Sequence, residues 1–388
     1  MTFNPLPAVV IGGPPHSGKS VLAYSLTQAL RAQRVEHYVI RAYPPDYEGD
    51  WFLACDQELV RHLRIKGAQS EAWLPLVQRD IARRHLPLIV DLGGLPTPEQ
   101  EALLDVCTHA ILLAPDDATR DQWRARFEHH GLVLLADIHS VLEGETRVES
   151  QEPLLKGVLA GLERGQQAHG PTFEALVERL NLLFTQAARG LRHQHLETAP
   201  VELSVDVEHL ARSLGCDARA WLPEDLPAVL DYLPEGQPLA LYGRGPNWLY
   251  AAVAVHALPA PFHLFDVRLG WVESPLLKPG ELPPDAPLQA RTARIPQGQV
   301  VTLQLVDAYL DLTEAGNLRA PFTECGEGII LNGKLPHWLW CALARAYRAP
   351  WRSHGPWLAL FQPQVQGAVV VASRVADPAV GMCIPYAP

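Results

Sequence analysis

The chain is short of positive charge and of cysteine, and both shortages limit what it can do. Its 388 residues include 32 Lys and Arg against 43 Asp and Glu, a formal net charge of −11. Such a surface does not grip duplex DNA, although a small nucleotide can still occupy a local basic pocket. The six cysteines contain no Cys-x-x-Cys pair. This spacing predicts reduced thiols rather than a disulfide framework or a zinc site.

Long apolar runs and a targeting segment are also missing from the sequence. No run of about 18 apolar residues occurs, and the N-terminus has no basic region followed by an apolar core. We therefore expect a cytoplasmic protein without a membrane partner. Hydrophobic residues make up 48% of the chain, which is typical of globular proteins, and the length predicts two or three domains.

A phosphate-binding motif follows the first apolar segment. The buried strand predicted over residues 7–11 leads into GPPHSGKS at 13–20 and then into a predicted helix over 21–31. This is the G-x-x-x-x-G-K-S pattern in the strand–loop–helix context that it requires, where backbone N–H groups surround phosphates. We predict that ATP or GTP binds here, with ATP as the expected cofactor, through Gly13, Ser17, Gly18, Lys19 and Ser20.

A second apolar strand, residues 86–91, ends in Asp91. Asp91 and the Ser20 hydroxyl are the predicted ligands of an Mg²⁺ ion bound with ATP, although Asp91 could instead cap the next helix. Apolar runs at 109–114 and 132–136 alternate with helical stretches, and helical spacing continues over 154–191. This alternation predicts an α/β P-loop NTPase domain over residues 1–192, with a parallel sheet and helices on both faces. A polar domain boundary is expected over 189–200, where His193 and His195 could bind a metal ion but are expected to be solvated.

Two further groups in this half are typical of phosphotransferases. Asp46 and Asp50 follow the strand that Arg41 closes, and they could hold an acceptor substrate of a kinase or form a solvated acidic turn. Basic residues of one predicted helix could form a lid or an arginine finger, or simply be solvated. They are Arg120, Arg124 and Arg126.

One pattern occurs twice in the second half of the chain. An apolar strand followed by Gly-x-x-Pro-x-Trp-Leu and a helix begins at Gly243 and again at Gly333. Glycine permits the tight exit from a strand, and proline fits the first turn of a helix. We predict two repeats, repeat 1 over 199–284 and repeat 2 over 285–388. Aromatic residues at helical spacing are assigned to packing: Trp248, Tyr250, Trp338 and Trp340.

These residues resemble the Csx-three (Crn-three) family of type III CRISPR ring nucleases. Repeat 1 has GRGPNWLY at 243–250 and FDVRLG at 265–270, and repeat 2 has WLALF at 357–361 and GAVVVAS at 367–373. The resemblance implies α+β ferredoxin-like domains that dimerise and stack to enclose cyclic tetra-adenylate and cut it with metal assistance. RNA 3′-exonuclease activity has also been attributed to the family. The first half resembles the P-loop ATPase or kinase-like domain that is sometimes fused to it.

By this resemblance, Asp266 and Arg268 fall on the family's Asp-x-Arg-Leu-Gly motif, and His256 is the nearest match to a catalytic-type histidine. His263 completes the predicted nuclease group. A carboxylate can hold Mn²⁺ or Mg²⁺ or take a proton, and a guanidinium can pair with a phosphate. The alternative is a salt bridge at the end of a strand.

Repeat 2 departs from the family pattern. Gln362 and Gln364 stand in the region of the acid motif, and Arg374 replaces a histidine, which predicts a catalytically degenerate copy. No Asp or Glu occurs from residue 328 to 376, whereas five cations do: Lys334, Arg345, Arg348, Arg352 and Arg374. We predict that these cations, with Arg244 of repeat 1, bind oligoadenylate phosphates; the alternative is a patch that docks the acidic first half.

The leading hypothesis is an enzyme that binds ATP–Mg²⁺ in its first half and cuts cyclic oligoadenylate, or short RNA, in its second. It would switch off type III CRISPR signalling, and a homo-oligomer is expected. One alternative is a P-loop kinase that phosphorylates a nucleotide or linear oligoadenylate. Another is a non-catalytic sensor whose repeats bind the ring and gate ATP hydrolysis.

Overall fold

The structure, a computed structural model, describes most of the chain in two compact units. The described residues are 6–42, 73–163, 165–217, 220–306, 310–323, 326–348 and 355–386. The first unit is Met1–Arg192 with Val267–Leu269, and the second is His193–Asp266 with Gly270–Pro388. The predicted positions Asp46, Asp50 and Arg352 lie outside the described residues.

A seven-stranded sheet forms the centre of the first unit. Its strands are β1 (Ala8–Gly12), β2 (Tyr38–Arg41), β3 (Leu88–Asp91), β4 (His109–Ala114), β5 (Val133–Val141), β6 (Arg147–Ser150) and β7 (Leu155–Ala160). They lie in the order β2-β3-β1-β4-β5-β7-β6, and all neighbours are parallel except β6 and β7. The helices are α1 (Lys19–Ala32), α2 (Leu74–Ala82), α3 (Pro98–Glu101), α4 (Asp117–His129) and α5 (Pro171–Ala187). The prediction of a mixed α/β unit with parallel strands is confirmed.

The central strands of this sheet are apolar throughout, which is typical of parallel strands that are buried on both faces. Every residue of β1 and β3 is buried, as expected of strands covered on both faces. Helix α4 lies so close to β1 that a Cβ atom on Gly12 would be 2.5 Å from Phe127 and 2.7 Å from Trp123. Only a glycine fits there, immediately before the phosphate-binding motif.

The helical prediction over 154–191 is wrong for its first part. Residues Leu155–Ala160 form strand β7 between β5 and β6, and the helix begins at Pro171. Six residues are too few for apolar spacing to separate a helix from a buried strand. Gly157 lies within β7 at a point where a Cβ atom would be 2.5 Å from the Arg147 carbonyl oxygen.

The second unit contains a four-stranded sheet and a six-stranded sheet. The four-stranded sheet has the order β11-β10-β9-β8, from β8 (Ser204–Asp206), β9 (Leu239–Tyr242), β10 (Phe262–Asp266) and β11 (Gly270–Glu273). Its helices are α7 (Val207–Leu214), α8 (Leu226–Tyr232) and α9 (Asn247–His256). The short strands β12 (Lys278–Pro279) and β15 (Arg319–Ala320) pair separately.

The six-stranded sheet has the order β13-β14-β16-β17-β18-β19. Its strands are β13 (Leu288–Ile295), β14 (Gly298–Leu305), β16 (Ile329–Gly333), β17 (Trp357–Gln362), β18 (Gly367–Ser373) and β19 (Cys383–Pro385), with α10 (His337–Arg348) after β16. In each sheet three parallel strands are followed by an antiparallel one: β8-β9-β10-β11 in one and β14-β16-β17-β18 in the other.

The structure does not confirm ferredoxin-like repeats. A ferredoxin-like sheet is built from split βαβ units, whereas here the strands before and after α9, and before and after α10, pair directly with each other. The helix prediction also missed a short element, because the expected boundary at 189–200 contains α6 (Leu191–Glu197).

Helices α9 and α10 pack against each other inside the second unit. Tyr250 stacks on His337 with ring centroids 4.7 Å apart. The assignment of the four aromatic residues to packing is confirmed, since Trp248, Tyr250, Trp338 and Trp340 are all buried. No helix in the described part of the chain has the length and apolar character needed to cross a membrane.

Candidate functional site

The phosphate-binding motif forms a loop between β1 and α1. Gly13 leaves β1 with φ of 153°, and Gly18, with φ of 86°, is the N-cap of α1. Both values favour glycine. A Cβ atom on Gly13 would lie 2.0 Å from the Leu113 carbonyl oxygen, and one on Gly18 would lie 2.4 Å from Cβ of Leu162. The loop therefore requires glycine at both positions for packing as well as for backbone conformation.

Lys19, the first residue of α1, is folded back onto this loop. Its Nζ donates hydrogen bonds to the carbonyl oxygens of Gly13 at 2.8 Å and Pro14 at 2.6 Å. Burial lowers the pKa of Lys19 to about 8, although the negative charge of Asp91 opposes this shift. Ser17 is buried and donates to the Pro14 carbonyl oxygen, and Ser20 follows Lys19 in the first turn of α1.

Asp91 ends β3, the strand next to β1, and its side chain is fully buried. Neither of its carboxylate oxygens has a hydrogen-bond partner among the described residues. Its charge faces Arg41, whose Nε lies 3.5 Å from Oδ2. A buried carboxylate without hydrogen bonds is costly unless a cation or water completes its surroundings. The donor set therefore fits the Mg²⁺ ion that the motif implies, held by Asp91 and the Ser20 hydroxyl.

The arginines of α4 are engaged with acidic residues. Asp137 of β5 accepts from Arg124 and forms an ion pair with Arg120 at 3.2 Å. Arg126 pairs with Glu101 at 2.7 Å and lies over the Trp123 ring. These contacts favour a structural role over the lid or arginine finger that the sequence left open.

The four predicted nuclease residues do not form one cluster. Asp266 is the last residue of β10, at its carboxyl end, and Arg268 follows in the turn to β11 and is buried. His256 ends α9, which leads to the amino end of β10, and His263 is the second residue of that strand. At a rise of about 3.3 Å per residue, β10 separates its two ends by roughly 13 Å. The histidines and the acid thus lie at opposite edges of the sheet.

Each histidine already has a partner. The Nε2 of His256 donates to the Leu233 carbonyl oxygen at 2.9 Å. The Nε2 of His263 lies 3.9 Å from Oε2 of Glu273, while burial lowers the pKa of His263. His195, expected to be solvated, is instead buried against Phe265 and lies 3.1 Å from the Tyr242 hydroxyl. His195 is buried because it belongs to α6, which packs on the four-stranded sheet.

The predicted phosphate-binding cations also lie at different ends of the strands, some at carboxyl ends and some at an amino end. Arg244 and Lys334 occupy equivalent positions after β9 and β16, at carboxyl ends. Arg348 and Arg374 adjoin the amino end of β17, and together burial and the Arg374 charge lower the pKa of Arg348 to about 10. Arg345 is buried, and it donates to the carbonyl oxygens of Ala254 at 3.4 Å and Ala260 at 2.9 Å. It therefore joins α10 to the end of α9 and is not placed as a surface phosphate ligand.

Comparison with known families locates a similarity in the six-stranded sheet. Residues 303–385 match the model of a family described as CRISPR-associated protein (Cas_csx3). The C-terminal region is similar to this CRISPR-associated type. The Cas_csx3 match runs from β14 to β19, the sheet that lacks the Asp-x-Arg-Leu-Gly sequence. No curated protein matches the chain.

A metal ion at Asp266 stays a prediction. Among the described residues, no three His, Cys, Asp or Glu side chains are grouped to hold a metal ion. Two charged residues at strand ends belong to no sequence motif. Arg41 ends β2 directly beside Asp91 at the end of β3. Asp206 ends β8 beside Tyr242 and accepts from the His209 N–H at 2.9 Å.

Proposed function

We propose that the chain binds ATP–Mg²⁺ in a P-loop NTPase fold of its first unit, and binds and cleaves cyclic oligoadenylate in its second unit. The first part rests on the loop between Gly13 and Ser20, which begins α1 beside the buried Asp91 carboxylate. Type III CRISPR signalling would be switched off when the ring opens.

The nuclease proposal is carried by one observation about the four-stranded sheet. Asp266 ends the third strand of a sheet whose strand order and directions match those of β14-β16-β17-β18. The latter strands lie in the segment similar to Cas_csx3. We therefore infer a duplication, in which the first copy keeps the acid and the second has Gln362 at the corresponding strand end.

In the proposed reaction, Asp266 takes the proton of a ribose 2′-hydroxyl while the guanidinium of Arg268 stabilises charge on the adjacent phosphate. The 2′-oxygen forms a bond to phosphorus and gives a 2′,3′-cyclic phosphate, while the 5′-oxygen leaves and takes a proton from water, which opens the ring. Because His256 and His263 lie at the other edge of the sheet, a histidine reaches this centre only from another protomer. This fits the expected homo-oligomer.

The test is an incubation of full-length protein with cyclic tetra-adenylate, with and without ATP and divalent cations. We expect Asp266→Ala to reduce ring opening by at least 100-fold, an order-of-magnitude expectation for loss of a general base. Asp231→Ala, at an exposed position of α8, serves as the matched control. Equal cleavage by both variants would rule out Asp266 as the base.

A non-catalytic sensor is the second candidate, favoured by the separation of Asp266 from the histidines. It predicts a protein that binds the ring without opening it and changes its rate of ATP hydrolysis. The kinase alternative, which depends on Asp46 and Asp50, predicts transfer of phosphate from ATP to a nucleotide or linear oligoadenylate.

A further inference from the structure

Two cations flank the Asp91 carboxylate at the carboxyl edge of the first sheet. Arg41 ends β2 on one side of β3, and Lys19 follows β1 on the other. Arg41 and Asp91 are register partners, and both are buried. Three charged side chains, with a net charge of one positive, therefore share the site proposed for nucleotide phosphates.

Both cations are engaged with protein groups in this state. Lys19 donates to the loop carbonyl oxygens, and Arg41 faces Asp91 at 3.5 Å. Neither Asp91 oxygen accepts a hydrogen bond within the described part of the chain. An ion pair at this distance compensates poorly for the desolvation of a carboxylate. The Asp91 carboxylate is therefore poorly compensated here and would be stabilised by a stronger cationic partner.

We propose that Arg41 recognises the terminal phosphate of the nucleotide by exchanging Asp91 for that phosphate. This inference rests on the proposed nucleotide function of the first unit. The Asp91 carboxylate would hold a divalent cation, and its negative charge would then no longer be available to Arg41. The planar fork of Arg41 then pairs with the terminal phosphate oxygens, which match its geometry. Arg41 thus makes the site prefer a nucleoside triphosphate over a diphosphate.

The measurement is the affinity of the full-length protein for ATP and for ADP, by calorimetry with Mg²⁺. We expect Arg41→Gln to weaken ATP binding by about 10-fold or more, the size of a charge-assisted hydrogen bond, and to leave ADP binding within about twofold. Arg83→Gln, at an exposed arginine after α2, is the matched control and should keep the wild-type ratio.

Two further variants separate exchange from a structural role. Asp91→Asn removes the negative charge that faces Arg41. The Asp91→Asn protein should therefore still prefer ATP over ADP when EDTA removes divalent cations. The wild-type protein should lose this preference under the same conditions. Arg41→Lys keeps the charge without the planar fork and should retain only part of the preference. If Arg41→Gln does not fold, Arg41→Lys decides the question.

If the Arg41 variant that folds keeps the wild-type ratio of ATP affinity to ADP affinity, the inference is overturned. The proposed nucleotide function is not affected by that result. A wild-type protein that binds neither nucleotide would overturn both. The two failures are therefore distinguishable in one set of titrations.

Discussion

At the scale of single residues, burial determines how Lys19 can serve a phosphate. Its pKa is lowered to about 8, chiefly by desolvation. Only the ammonium form binds phosphate strongly, so protons are taken up on binding once the pH is above about 8. Affinity is therefore highest well below this pKa and falls as the pH rises through it.

This predicted fall in affinity with rising pH can be tested directly. The affinity for ATP should be constant near pH 7 and should fall by roughly tenfold per pH unit once the pH is above about 8. Binding measured between about pH 7 and pH 9.5 checks it. Lys19→Arg is the control, because an arginine stays protonated throughout this range. A flat profile for the wild type would contradict the assignment of Lys19 to the phosphates.

The order of strand, loop and helix around residues 13–20 was predictable because the motif includes its own structural context, whereas phosphate binding there stays a prediction. Strand, glycines and helix follow one another within 32 residues of the N-terminus, and the structure has them in that order. Arg345 was not predictable in the same way. The absence of acidic neighbours in sequence marked it as a phosphate ligand, whereas its partners are backbone carbonyl groups about 90 residues away that charge counting cannot detect.

At the scale of elements, the contact between α9 and α10 depends on Arg345. Replacement of Arg345 by Met would leave the carbonyl oxygens of Ala254 and Ala260 without these donors. We expect a loss of roughly 1–3 kcal/mol in the free energy of unfolding, measured by denaturant titration, with the affinity for oligoadenylate unchanged in the folded fraction.

Arg212→Met, at an exposed position near the end of α7, is the matched control and should change the stability by less than about 0.5 kcal/mol. If Arg345→Met left stability unaltered but abolished ring binding, the residue would be a phosphate ligand after all.

Several elements of the first unit could be read from the sequence, whereas α2 and β6 were not predicted and β7 was assigned to a helix. Strand β4 was predicted with the bounds that it has, because Thr108 and Pro115 limit its apolar run. Strand β7 was not, since its apolar residues also fit a helix and its place beside β5 depends on long-range pairing. The same limit applies to the parallel pairing of β8, β9 and β10, which no local pattern specifies.

At the scale of the whole molecule, the proposed nuclease centre is divided between two edges of one sheet. If protomers associate so that Asp266 of one meets His256 of another, two inactive variants should complement each other. A mixture of Asp266→Ala and His256→Ala proteins should recover up to about a quarter of the wild-type rate of ring opening, because random pairing forms some complete sites.

The control is each variant mixed with itself at the same total concentration, which should stay inactive. If the mixture recovers no ring-opening activity under conditions where the wild type is associated, the histidine does not act across protomers. The sequence could not reveal this division, because His256 and Asp266 are only ten positions apart in the chain. Strand β10, which lies between them, places them at opposite ends of the sheet's strands.

The close approach of α4 to β1 at Gly12 also has a consequence for related sequences. A side chain at position 12 and the rings of Trp123 and Phe127 compete for one volume. Over evolution these three positions should therefore change together: a homologue with alanine or serine at position 12 should carry a smaller residue at 123 or 127. A smaller residue at position 123 or 127, although distant in the chain, would then allow a side chain at position 12 beside the loop.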